Sequence, residues 1–244
     1  MEQLLPHLNT QTNSNLSFSF LKISQLVNWA SENKFKHLVI ADYHPYEIID
    51  FFNYCKEKEI KPIWGIKIFF YEDSAEKKYS ATIYPQNNKG YKEVIQKLFS
   101  PDSPIDRTFS LNYLLISLSK NCLIVFEAQN LEEIIFFANH WIITANPSQK
   151  EINYDNLFIG FNFFLLSPAS SIPSRVIPLL LPFFSVKSLA NEEISVLDSW
   201  KRTSFNRYFF PSDTQGNFLS YLNTEEYFSH CTDDKTFYQL LLIQ

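Results

Sequence analysis

The chain has 244 residues, 45% of them hydrophobic and 19% charged, with a net charge of −5. That suffices to bury one sizeable core, as one large α/β domain or two small ones. The mild negative charge gives no reason to expect this chain alone to grip nucleic acid, which needs clustered Lys and Arg.

The start, MEQLLPHLNT, has neither a basic leader nor a long apolar stretch, so no signal peptide is expected. Residues 3–8 read as a short strand, followed by a loop, HLNTQTNSN, rich in amides and hydroxyls and poor in groups that ionise. Residues 22–34 place Ile23, Leu26, Val27 and Ala30 on one helical face. HLVIA (37–41) is a buried strand. Residues 45–58 form a second helix with Pro45 in its first turn and a stripe of Ile48, Phe51, Phe52 and Cys55. PIWGIKIFF (62–70) and YSATIYP (79–85) are strands, and 88–99 is a helix. PDSP (101–104) is a turn. CLIVF (122–126) is a strand with Cys122 in the core, and 131–139 is a helix with Leu131, Ile134, Ile135 and Ala138 inward. Strands at 157–165 and 177–183 follow, then helices at 191–203, 224–231 and 234–243.

Strand and helix alternate along most of the chain, which predicts α/β architecture with a parallel sheet or barrel. The most apolar windows run about ten residues, short of the roughly 20 that span a bilayer, so no membrane role is expected. Three cysteines without a CxxC pair argue against a disulfide framework or a Cys-type zinc site and fit a reducing cytoplasm. Glycines 65, 90, 160 and 216 cannot write a phosphate loop. The short basic cluster of Lys201, Arg202 and Arg207 reads as a solvated helix end.

In such folds chemistry sits at the carboxyl ends of the strands. Asp42 ends a buried strand there. Lys67 lies inside an apolar strand, where it is costly unless it is paired or snorkels outward. Lys187 follows a proline-broken strand. The aromatics Trp64, Phe69, Phe70 and Tyr71 read as core before they read as the lining for a planar ligand.

HLNTQ at 7–11, ADYH at 41–44 and EIKPIWGIK at 59–67 together resemble the PHP (polymerase and histidinol phosphatase) domain of bacterial DNA polymerase III alpha subunits. That family opens with His-Leu-His-x-His, then has Thr-Asp-His-Gly and Gly-Ile-Lys-Pro-Ile-x-Gly-x-Glu. NNKGYKEVIQKLFS (87–100), NCLIVFEA, KSLANEEISVLDSW and FLSYLNTEEYFSH resemble later family segments, so the likeness runs over roughly 4–232. It implies a PHP-type distorted (β/α)7 barrel and a single PHP-like domain over 1–244. FYQLLLIQ stops without a capping signal, which suggests the N-terminal fragment of a longer polymerase chain.

Intact PHP domains hold divalent metals such as zinc or manganese through His, Asp, Glu and sometimes Cys. At the matching positions this chain has Asn9, Gln11, Asp42, Tyr43, Lys67, Gln129, Ser185 and Lys187. Asp42 alone keeps the family residue, and two lysines gained against the family pattern imply that Lys67 or Lys187 substitutes for the missing metal charge and pairs with Asp42, the alternative being that both point to solvent. His44 falls one position late, and His7 precedes the ligand positions. Neutral amides are poor zinc ligands, and lysines repel a cation. The resemblance therefore implies a degenerate metal site, with no metal, no cofactor and no catalytic residue. The expected role is a structural and interaction module of a DNA-directed DNA polymerase, a nucleotidyltransferase in DNA replication. Its partner is then the remainder of the alpha subunit, with other replisome subunits possible and DNA reached only through the parent enzyme in the cytoplasm. The alternative is a free-standing PHP-family metal-dependent phosphoesterase with altered ligands, for which Asp42, His7, His44 and Glu72 are the nearby candidates.

Overall fold

The computed structural model describes residues 8–14, 19, 21–72, 77–101, 103–104, 108–144, 152–161, 180–182 and 185–186. In chain order the elements are β1 (Asn9–Thr10), α1 (Ile23–Glu32), β2 (His37–Asp42), α2 (Ile48–Glu57), β3 (Lys61–Tyr71), β4 (Lys78–Pro85) and α3 (Asn88–Leu98). There follow β5 (Thr108–Ser110), α4 (Leu111–Leu118), β6 (Cys122–Ala128), α5 (Leu131–Thr144), a 3-10 turn (Tyr154–Asn156), β7 (Leu157–Phe161), β8 (Leu180–Pro182) and β9 (Ser185–Val186). Contacts group Met1–Ile66 with Phe184–Thr232 as one unit, and Lys67–Phe183 with Asp233–Gln244 as another.

In the first unit, α1 buries Ile23, Leu26, Val27 and Ala30, the face that the apolar spacing requires. α2 buries Ile48, Phe51 and Cys55, but Phe52 is 43% exposed. Its stripe is narrower than the sequence suggests, and Phe52 lies at its edge. Pro45 stands ahead of the helix, where its carbonyl accepts the Ile48 N–H at 3.4 Å in a preceding turn.

Both helices end with the same chemistry. Lys34 (φ 62°) and Glu59 (φ 56°) take the left-handed conformation. One residue on, the Phe35 N–H reaches the Ala30 carbonyl and the Ile60 N–H reaches the Cys55 carbonyl, each at 2.9 Å. These are Schellman-type stops. They launch β2 and β3 side by side, parallel from His37↔Lys61 to Asp42↔Ile66. Asp42 is thereby fixed at the end of β2. The first strand sits later than residues 3–8: Leu8 is in a turn, and Asn9–Thr10 pair in parallel with Ser185–Val186 of β9.

In the second unit the strand order is β3–β4–β6–β7–β8, with β5 pairing β3. β4 is antiparallel to β6, while β6–β7, β7–β8 and β3–β5 are parallel. The sheet is mixed, which corrects the expectation of parallel strands. The connection between β3 and β4, residues 72–77, is too short for the crossover that a parallel pair needs. Among the described residues the pairings form an open path and not a closed ring. The molecule is thus a mixed α/β fold with a central sheet and flanking helices.

One face of this sheet is aromatic. Phe70 meets Phe126 edge-on at 5.1 Å, and Phe126 lies 5.7 Å from Phe137 of α5. α5 buries Ile134, Phe137 and Ala138, with Leu131 and Ile135 only half-buried. Trp64 and Phe70 are core, as read, whereas Tyr71 is exposed. Asn87 caps α3 by accepting the N–H groups of Lys89 and Gly90, each at 2.9 Å. A Cβ on Gly90 would stand 2.2 Å from the Asn121 carbonyl oxygen, so the helix needs glycine where it crosses that turn. The sequence reading passed over β5 and α4, although Ser110 caps the helix and Leu111, Leu114, Leu115 and Leu118 recur at helical spacing. The expected helices at 191–203, 224–231 and 234–243, and the basic cluster, lie outside the described residues.

Candidate functional site

In the first unit, the end of β2 meets the loop after β1. Asn9, Thr10, Gln11, Thr12 and Asp42 are all buried. The Thr12 N–H donates to one Asp42 carboxylate oxygen and the Thr12 hydroxyl to the other, both at 2.7 Å. The Thr12 hydroxyl also lies 3.0 Å from the Ser14 hydroxyl. The loop is held closed at its base. The Ser19 hydroxyl donates to the Gln11 carbonyl at 2.7 Å, and the Asn13 N–H to the Leu21 carbonyl at 2.9 Å. Burial raises the Asp42 pKa to about 6, against the pull of the Thr12 bonds and with a small push from Glu47. The buried Gln11 Oε1 has no hydrogen-bond partner. Asn9 stands in register with Ser185, so two of the mapped positions from opposite ends of the chain meet through β1 and β9. Tyr43 is half-buried, and His44 stacks on Tyr46 with ring centroids 5.0 Å apart.

In the second unit, Lys67 is buried and does not snorkel. Its Nζ lies 2.7 Å from Glu127 Oε1. The Thr82 hydroxyl donates to the same oxygen and the Ser80 hydroxyl to Oε2, each at 3.0 Å. The acid beside Lys67 is thus Glu127, and the groups on Asp42 are hydroxyls and an amide N–H. Gln129 is exposed, and its backbone N–H donates to Glu133 at 2.8 Å. Glu133 in turn pairs with Lys77. Lys187, His7 and the Ser185 side chain lie outside the described residues.

Sequence reasoning missed Thr12 and Glu127. Thr12 carried no signal beyond lying in a polar loop. Glu127 did carry one: it ends the apolar run CLIVF as Lys67 interrupts another, and a buried lysine asks for an acid. Among the described residues, no three His, Cys, Asp or Glu stand together as metal ligands, and no helix is long and apolar enough to cross a membrane.

Residues 7–103 match the model of the PHP domain family. A curated relative, the DNA polymerase III subunit alpha of Halalkalibacterium halodurans, is 30% identical over 93 residues. The match covers 37% of this chain and 8% of that protein. Among solved structures, a Bifidobacterium adolescentis protein described as a metal-dependent phosphoesterase aligns with a TM-score of 0.40 at 8% identity, covering 71% of this chain and 81% of that one. An amidohydrolase from Chromobacterium violaceum aligns with a TM-score of 0.38 at 8% identity, covering 70% and 92%.

Proposed function

We propose that the chain is a PHP-type structural and interaction module of a DNA polymerase III alpha subunit, with its metal-dependent exonuclease site lost. The observation that carries this reading is the state of Asp42. It is the one family acid kept at the mapped positions, and Thr12 takes both of its carboxylate oxygens. The mapped positions Asn9 and Gln11 are buried amides, which are poor ligands for zinc. A zinc or manganese cluster does not fit these donors. Lys67 and Gln129, at two further mapped positions, are a cation and an exposed amide. The finer architecture belongs to the same reading: a distorted (β/α)7 barrel and a single domain over 1–244. Polar, buried Lys67 and Thr82 opposite the aromatic face support it, since a barrel interior is closed from water.

In this reading the partner is the rest of the polymerase chain, other replisome subunits bind through it, and DNA is met only by the parent enzyme in the cytoplasm. Exposed apolar side chains support an interaction role: Tyr46, in the turn before α2, is 73% exposed, and Ile49 and Phe52 within α2 are 71% and 43% exposed.

Two measurements test the proposal. The first is elemental analysis of protein purified without chelator, together with exonuclease assays on a 3′-labelled primer with added manganese or zinc. Near-zero metal and no cleavage are expected; stoichiometric metal with cleavage overturns the reading in favour of a phosphoesterase. The second adds the chain to an alpha subunit deleted of its own PHP segment. Binding is expected, weakened at least tenfold by Ile49→Asp. Absence of binding overturns the polymerase role.

A further inference from the structure

We propose that Glu127, Ser80 and Thr82 form a cation site that the chain fills with its own ammonium, Lys67, where another protein would place a metal ion. Lys67 is 2% exposed, and its Nζ is 2.7 Å from Glu127 Oε1. The hydroxyls of Thr82 and Ser80 engage the two carboxylate oxygens at 3.0 Å each. The four side chains come from three strands, β3, β4 and β6, of one unit. On the remaining flank Glu127 is in register with Gly160 of β7, which brings no side chain.

The two hydroxyls donate to the carboxylate and orient it, and its Oε1 is the hard oxygen that faces the ammonium. Removing either partner would leave the other charge unpaired in a partly buried site, with Lys67 2% and Glu127 16% exposed. A tethered ammonium supplies the cation at any metal concentration and ties β3 to β6. The inference stands on second-unit contacts and does not depend on the polymerase reading.

The test uses the full chain with Lys67→Met, Glu127→Gln and the double substitution. Thermal unfolding is followed at pH 8 and manganese binding by calorimetry. At pH 8, Lys67→Met is expected to lower the midpoint by roughly 10 °C against wild type. The double variant should recover most of that loss, because no lone carboxylate remains. Three outcomes overturn the proposal. One is Lys67→Met as stable as wild type at pH 8. Another is a double variant as weak as Lys67→Met. The third is wild-type protein that binds one manganese per chain and loses it on Glu127→Gln. Loss of docking to a polymerase body, or its presence, leaves these curves unchanged.

Discussion

Asp42 and Glu127 are two carboxylates withdrawn from water by two different devices. Asp42, at the end of β2, is held by neutral donors, the N–H and hydroxyl of Thr12. Glu127, in β6, is held by two hydroxyls and an ammonium. With neutral donors alone the burial still wins at Asp42, whose pKa rises to about 6. Two short hydrogen bonds do not offset desolvation of a charge, because each replaces a hydrogen bond to water without supplying the opposite charge.

The largest test of this contrast removes the acid beside the ammonium. Glu127→Ala strips Lys67 of its carboxylate and should cost about 3–5 kcal/mol in urea unfolding at pH 7. A cost under about 1 kcal/mol would erase the distinction between the two sites. The next test removes the charge at Asp42. Its folded pKa of about 6 stands above the ordinary 3.8, so its contribution to stability is complete below pH 4 and is lost as pH rises through 6. The shift corresponds to roughly 3 kcal/mol between those limits. Asp42→Asn should therefore gain on wild type as pH rises from 4 to 8, read as diverging unfolding free energies. Parallel curves would mean that Asp42 ionises in the folded chain as it does in water.

The two sites were unequally legible in sequence. The place of Asp42 could be read because it closes an apolar run, and it does end β2, buried. The α1 stripe, the end of β2 and the match through Ile60-Lys61-Pro62-Ile63 were legible for the same local reasons. What holds Asp42 was not, since Thr12 lies 30 residues away in a loop without periodicity. Lys67 was visible as an anomaly, but its partner is set by sheet order. β4 lies between β3 and β6, and the lysine reaches past the Ser80–Thr82 strand to Glu127. Asp42, the one acid kept at the mapped positions, was the partner that the resemblance suggested for it. The antiparallel β4 is the missing piece, and it follows from the length of a connection more than from any residue.

The smallest effect supplies the scale for the others, because it involves no charge. Lys34 and Glu59 occupy equivalent left-handed positions after α1 and α2, with the same following hydrogen bond at the same 2.9 Å. A side chain there costs about 1–2 kcal/mol relative to glycine. Glycine returns part of that gain through the extra freedom of the unfolded chain. Lys34→Gly and Glu59→Gly should each stabilise by about 0.5 kcal/mol, by the same amount at both sites and at pH 5 as at pH 8. The opposite charges of the two native residues make the equality informative. If the gain at Lys34 differs from that at Glu59 and changes with pH, surface charge and not backbone conformation governs these turns. The pH slope assigned to Asp42 would then need correcting for it.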